Sequence, residues 1–201
     1  MSGVVSAIFV QEVEKTIVDN LELKERLKES KLSVLYGRDG ELINFLETLF
    51  KDRRKFDLFQ LGGPCRPMAT PKAEVAAYSV RDFKQFTNSI AEISRHKRTV
   101  IIDSFSLLQI ILEKYYRKTG VFSTYNASIL CLLEQIGLLL KNGRNVILLT
   151  GVIEGRKLFK KTVGPIAPVK LLDKSTLVAR FDKGTITIEK LARGIGDSTE
   201  V

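Results

Sequence analysis

Between Arg156 and Lys170 the chain places five cations, Arg156, Lys157, Lys160, Lys161 and Lys170, with no acidic residue among them. A second cluster is continuous: Lys114, Tyr115, Tyr116, Arg117 and Lys118. Cations gathered this way neutralise phosphates and release the counterions condensed on a nucleic acid, and interleaved tyrosines can stack on unpaired bases. The same residues also suit a solvated helix end and a surface loop, because cations favour helix C-termini. Other chemistry has little material. The sequence has one histidine, His96, and two cysteines, Cys65 and Cys131, with no CxxC. Zinc-ligand spacing and a Cys/His nucleophilic pair are therefore both excluded. Cys131 falls in a helical apolar stripe and reads as core, Cys65 lies in a loop, and His96 sits among basic residues facing solvent.

The whole chain agrees with a polyanionic partner: Lys plus Arg number 32 against 23 acidic residues, a formal charge of +9. Its 201 residues argue for one domain. With 44% hydrophobic and 27% charged residues the composition is that of an ordinary globular chain, which excludes disorder and collagen-like repeats. A chain of this size buries roughly 70% of its unfolded surface, so its core needs no disulfide or metal. Ser2 to Val10 is apolar but lacks a basic n-region, and Glu12 and Glu14 follow, which is wrong for a signal peptide. No apolar run reaches the ~18 residues of a membrane span. The expectation is a cytoplasmic protein with no membrane partner.

The elements that must position these residues can be read from periodicity. Val13, Ile17, Leu21, Leu23 and Leu27 predict one or two amphipathic helices from about Val10 to Ser30, a helical arm (1–30) ahead of a core domain (31–201). The stripe Val13, Ile17 and Leu21 is expected to pack on the chain's own core or on a neighbouring subunit. Leu32 to Tyr36 predicts a buried strand, Gly37-Arg-Asp-Gly40 a turn, and Leu42 to Phe50 a helix. Further strands are predicted at Phe56–Leu61, Val75–Val80, Thr99–Ile102 and Arg144–Thr150, with helices around 83–93, 105–117 and 123–141. Gly151 to Lys174 reads as a long irregular loop. Thr176–Phe181 and Thr185–Leu191 alternate in period two around Asp182-Lys-Gly184, which predicts a hairpin. Strands separated by helices give an α/β fold: a mostly parallel sheet with helices on both faces and a C-terminal antiparallel hairpin.

The ordered series resembles the core of the RecA-type recombinases, nearest to archaeal RadA and its eukaryotic paralogues, over residues 31 to 197. Leu32 to Gly37 is similar to the strand entering that family's phosphate loop, and Val100-Ile-Ile-Asp103-Ser104 resembles its Walker B strand. Ser123 to Leu140 resembles the helix after its first DNA-binding loop, placing Lys114 to Lys118 at that loop. Asn145 to Thr150 resembles the strand leading to its second, placing Arg156 to Lys170 there. Gly194-Ile-Gly-Asp197 is similar to the closing tail. The separate N-terminal DNA-binding domain of the family is expected to have no counterpart.

The departures are concentrated at the nucleotide. A working phosphate loop needs G-x-x-x-x-G-K-[ST], with glycines opening the backbone to phosphates, lysine neutralising charge and a hydroxyl holding Mg²⁺. Counted from Gly37, those positions hold Leu42, Ile43 and Asn44, Glu41 would repel a triphosphate, and the loop is too short. The strand Phe56 to Leu61 leads into no carboxylate that could act as the catalytic base the resemblance implies; Gln60-Leu-Gly-Gly63 follows instead. Gly37, Gly40 and Asp103 thus mark a degenerate nucleotide site. Asp103 is either a magnesium-side carboxylate, as the resemblance implies, or a cap for the helix starting near Phe105. Asp39 and Gly40 read as cap and turn, and no cofactor is expected. The resemblance implies a non-catalytic recombinase paralogue that binds single-stranded DNA and a RadA-type recombinase or another paralogue, itself able to homo-oligomerise. It would modulate filament assembly in homologous recombination and DNA repair. A docking subunit of an active ATPase that never touches DNA is the alternative, and a nucleotide-binding enzyme with an unusual loop is a third.

Overall fold

The computed structural model describes residues 15–51, 55–61, 74–93, 99–120, 124–157, 160–165 and 169–191. Along them run β1 (Thr16–Val18), α1 (Asn20–Glu29), β2 (Leu32–Tyr36), α2 (Asp39–Leu49), β3 (Lys55–Leu61), β4 (Glu74–Val80), α3 (Phe83–Ile93) and β5 (Thr99–Asp103). Then follow α4 (Phe105–Lys118), α5 (Thr124–Lys141), β6 (Val146–Thr150), β7 (Val152–Lys157), β8 (Lys160–Pro165), α6 (Val169–Lys174), β9 (Leu177–Asp182) and β10 (Thr185–Leu191). Among the described residues these form an eight-stranded mixed sheet, ordered β1-β10-β9-β2-β6-β5-β3-β4, and a two-stranded ribbon of β7 and β8. The six strands from β9 to β4 are mutually parallel.

Apolar but for Ser33 and Thr150, β2 and β6 are buried at every position, as strands covered on both faces must be. Leu32, Val34 and Tyr36 join Val100, Ile102 and Leu148 on one face, under α3, α4, α5 and α6. Leu35, Ile101, Ile147 and Leu149 join the opposite face, under α1 and α2. Period two in the strands has become a two-sided core. None of the described helices is long and apolar enough to cross a membrane.

Three expectations are corrected. Thr16–Val18 is a strand, not helix, pairing antiparallel with β10. Three residues before a helix capped by Asp19, whose Oδ1 accepts from the Glu22 amide at 2.8 Å, leave no room for a helical arm to start earlier within the described chain. Of the stripe expected to pack on the chain's own core or on a neighbouring subunit, Ile17 and Leu21 are 73% and 68% exposed, so neither packs on the described core, and Val13 lies outside the described residues; Leu23 and Leu27 of α1 are buried. The irregular stretch after β6 is the β7–β8 ribbon followed by α6, because Val152 to Lys157 and Lys160 to Pro165 pair in continuous antiparallel register. The C-terminal hairpin is present, with Asp182 opposite Thr185 and both turn residues at positive φ, 51° at Lys183 and 80° at Gly184, the type I′ signature.

A buried ion pair crosses the core. The Arg144 guanidinium donates from Nη1 to Oδ2 of Asp57 at 3.0 Å, with side chains 0% and 2% exposed. Gly143, at φ 74°, ends α5: its N–H donates to Leu140 O and that of Arg144 to Leu139 O, a Schellman pair that needs glycine at this position. The turn delivers Arg144 across β5 to β3. Removing one partner strands a buried charge, at a cost of about 3–5 kcal/mol, whereas replacing both by apolar side chains is close to neutral. Urea unfolding of Asp57→Asn is therefore expected to show a loss of about that size, and Asp57→Leu combined with Arg144→Leu to recover most of it.

Candidate nucleic-acid interface

The parallel strands β2, β6, β5 and β3 end on one edge of the sheet. The adjacent strands β2 and β6 send their connections to opposite faces, β2 to α2 on one side and β6, past the ribbon, to α6 on the other. Adjacent strands diverging this way open a crevice at their carboxyl ends, the usual ligand position in open α/β sheets.

At this edge the phosphate-loop position is closed. Only Gly37 and Arg38 separate β2 from α2. Two residues cannot wrap a phosphate chain. Gly37 N–H donates to Thr150 O at 3.4 Å, and a Cβ built on Gly37 would lie 2.7 Å from Phe181 Cβ and 2.9 Å from its carbonyl oxygen. The seam continues as the Phe45 and Phe181 rings pack at 5.2 Å, and Glu41 Oε1 accepts from the Gly184 amide at 3.0 Å. Glu41 therefore ties the first turn of α2 to the β9–β10 turn. Leu42 is buried in the core, Ile43 is half-buried and Asn44 exposed. No lysine or hydroxyl stands where a triphosphate would need one, so these residues do not fit ATP. Arg38 holds the N-cap position without a side-chain cap bond, and Asp39 and Gly40 are already helical, which corrects their reading as cap and turn.

Asp103 ends β5 in register with Gln60 of β3 and Leu149 of β6. The N-cap of α4 is Ser104, its Oγ 2.7 Å from Ser106 Oγ, so Asp103 is not the cap. The Asp103–Ser104 peptide is cis. Among the described residues no three His, Cys, Asp or Glu side chains gather as a metal site requires. The β2 end is fastened on its other side by the Tyr36 hydroxyl, which donates to Glu189 at a bulge of β10. Burial and that carboxylate push the phenol well above its ordinary range.

The expected DNA-contact residues fall in two places. In the ribbon, Arg156 stands opposite Lys161 and Lys157 opposite Lys160, two successive rungs of like charge that end the pairing. Lys170 is separate, in the first turn of α6. Lys114, Tyr115, Tyr116, Arg117 and Lys118 are the last five residues of α4, the helix end that periodicity over 105–117 predicts rather than the loop that the resemblance implied. Their tyrosines are partly spent on packing. The Phe83 ring lies 4.7 Å from Tyr115 and 6.4 Å from Tyr116. Burial and a bond to Cys131 push the Tyr116 phenol up to about 12, while Tyr115 keeps 42% of its surface exposed. Cys131 is core, its thiol pushed up by burial. Cys65, His96 and the Gly194–Asp197 tail lie outside the described residues.

Sequence reasoning missed Arg81 and Phe83, which the β4–α3 junction brings beside α4. Their signal was Asp82-x-x-Gln85. Asp82 Oδ1 accepts from the Gln85 amide, and Gln85 Oε1 accepts from the Arg81 amide, both at 2.9 Å, a variant of the capping box.

The closed seam has a direct consequence for stability. Gly37→Ala must push Phe181 backbone and side chain aside, an overpacking cost of about 1–3 kcal/mol, and thermal unfolding is expected to show a lowered midpoint. No protein-family model matches this chain, and no curated protein matches it.

Proposed function

We propose that this protein is a non-catalytic, RecA-like paralogue that holds single-stranded DNA on its β7–β8 ribbon and so modulates assembly of a RadA-type recombinase in homologous recombination and repair. The observation that carries the reading is the pair of like-charged rungs, Arg156 with Lys161 and Lys157 with Lys160. Like charges directly opposite across strands destabilise a ribbon. A polyanion relieves that repulsion, so the charge arrangement favours the bound state over the free one. The ribbon leaves the sheet at the carboxyl end of β6, beside the crevice, and the net charge of +9 adds long-range attraction. The order β2-β6-β5 of the strands that resemble the recombinase core supports the family reading. The docking alternative has its own support in exposed apolar side chains on α4 and α5, Ile110 at 46% and Leu130 at 56%.

Binding needs no base readout. Each cation that neutralises a phosphate contributes about −0.7 to the log–log salt slope on a single strand, so four give a slope of about −3. Changing Arg156, Lys157, Lys160 and Lys161 together to alanine is expected to weaken every sequence alike and to flatten the slope by about that amount. The thermal midpoint should not fall, because facing like charges are removed. A quadruple variant that binds as the parent does at low salt would shift the reading to the docking module. Calorimetry with ATP and Mg²⁺ is expected to show no micromolar binding, and a phosphate-release assay no turnover; turnover lost in Asp103→Ala would overturn the non-catalytic assignment.

A further inference from the structure

The described residues include a cavity of about 240 Å³ between the β4–α3 junction and the second half of α4. Its apolar wall is Phe83, Ile111 and Tyr115, with the Phe83 and Tyr115 rings tilted 45° to each other. Its cations are Arg81, Lys114 and Lys118. Ile111, Lys114 or Tyr115, and Lys118 follow one stripe of α4 at helical spacing. Arg81 comes from a different element, held by the hydrogen bond from its amide to Gln85 Oε1. All three cations are exposed, and none bonds through its side chain to another described residue. The one carboxylate on the cavity, Asp82, is turned to the helix it caps through the Gln85 amide. Two elements therefore place three cations, against the single carboxylate of Asp82, around an aromatic wall.

We propose that this cleft seats a single nucleotide unit, its base against Tyr115 and Phe83 and its phosphate among Arg81, Lys114 and Lys118. The volume lies below the ~300–1,000 Å³ of sites for drug-sized ligands, which suits one small unit rather than a larger molecule. A flat π-system with an attached anion satisfies wall and rim together, as neither an apolar ligand nor inorganic phosphate does. The unit is either a free nucleotide or one member of a single strand. From β6, where the ribbon begins, to β4 is three strand steps, roughly 14 Å, so one strand could meet the ribbon and the cleft along the same edge of the sheet. The inference deepens the nucleic-acid reading and rests on it only for the source of the nucleotide.

The test uses the full chain with its ribbon intact, titrated with a labelled dodecathymidylate and, separately, with thymidine monophosphate. The variants are Arg81→Glu with Lys114→Glu, Tyr115→Ala, and, as a milder check on folding, Arg81→Gln with Lys114→Gln. The double reversal is expected to weaken oligonucleotide binding at least ten-fold and to make the salt slope shallower by about 1.4. Tyr115→Ala is expected to cost roughly ten-fold with the slope unchanged, because it removes stacking and no charge. Monophosphate binding lost in the double variants identifies a free nucleotide as the ligand, and a response by the oligonucleotide alone identifies a unit of the strand. An oligonucleotide that binds parent and all variants alike, with no monophosphate difference, overturns the cleft and leaves the ribbon reading standing. Monophosphate binding lost in the variants, in a parent that binds no oligonucleotide, overturns the ribbon reading and keeps the cleft. A parent that binds neither overturns both.

Discussion

The ion pair of Arg144 and Asp57 is the buried polar constraint of the parallel half of the sheet: neither charge can stay in the core without the other. It joins β3 to the turn that starts β6, across β5, at the amino ends of all three strands. A guanidinium with no exposed surface has no alternative partner in water, so any shift that parts the two groups strands a charge in the core. In register with that end, β3, β5 and β6 finish together, and their carboxyl ends form the edge from which the ribbon and α4 depart. The pair acts on the candidate interface at a distance, by fixing the strands that carry it.

At that edge a closed apolar seam and the cations of the chain stand apart. Between β2 and α2 the chain builds a seam: Gly37 against Phe181, Phe45 on the Phe181 ring, and Glu41 on the Gly184 amide. Each contact is a packing or hydrogen-bonding gain that a bound triphosphate would have to displace. The positive charge lies elsewhere, on the ribbon after β6 and on the end of α4, at separate points along the same edge. Such a distribution suits an extended polyanion better than a compact one. A strand reaches several cations at once, and the salt dependence of binding counts them.

Much of this was legible in the residues. The buried strands are legible in the apolar run Val146–Leu149 and in Leu32–Tyr36, apolar but for Ser33, and the hairpin in Asp182-Lys-Gly-Thr185, because local sequence decides both. The closed phosphate position could be read from Leu42, Ile43 and Asn44 alone, though its cause, the approach of Phe181, depends on a strand some 140 residues later. The ribbon was missed because Gly155, Gly164 and Pro165 mimic loop composition while the pairing that makes it a ribbon is visible only in register. The helix that carries Lys114 to Arg117 is legible in its periodicity, whereas the packing of its tyrosines on Phe83 is not, because no periodicity reveals that partner. Asp57 was the overlooked clue: a carboxylate inside the run Phe56-Asp-Leu-Phe59 must find a cation, and the structure supplies Arg144 from 87 residues away.

Photo-cross-linking of a bromodeoxyuridine-substituted single strand to the full chain, with adducts located by peptide mass spectrometry, tests the DNA-holding edge most directly. Adducts within 152–165, joined by others at the end of α4, are the predicted result. Adducts confined to the α1–α2 face, or none under low-salt conditions, would contradict it.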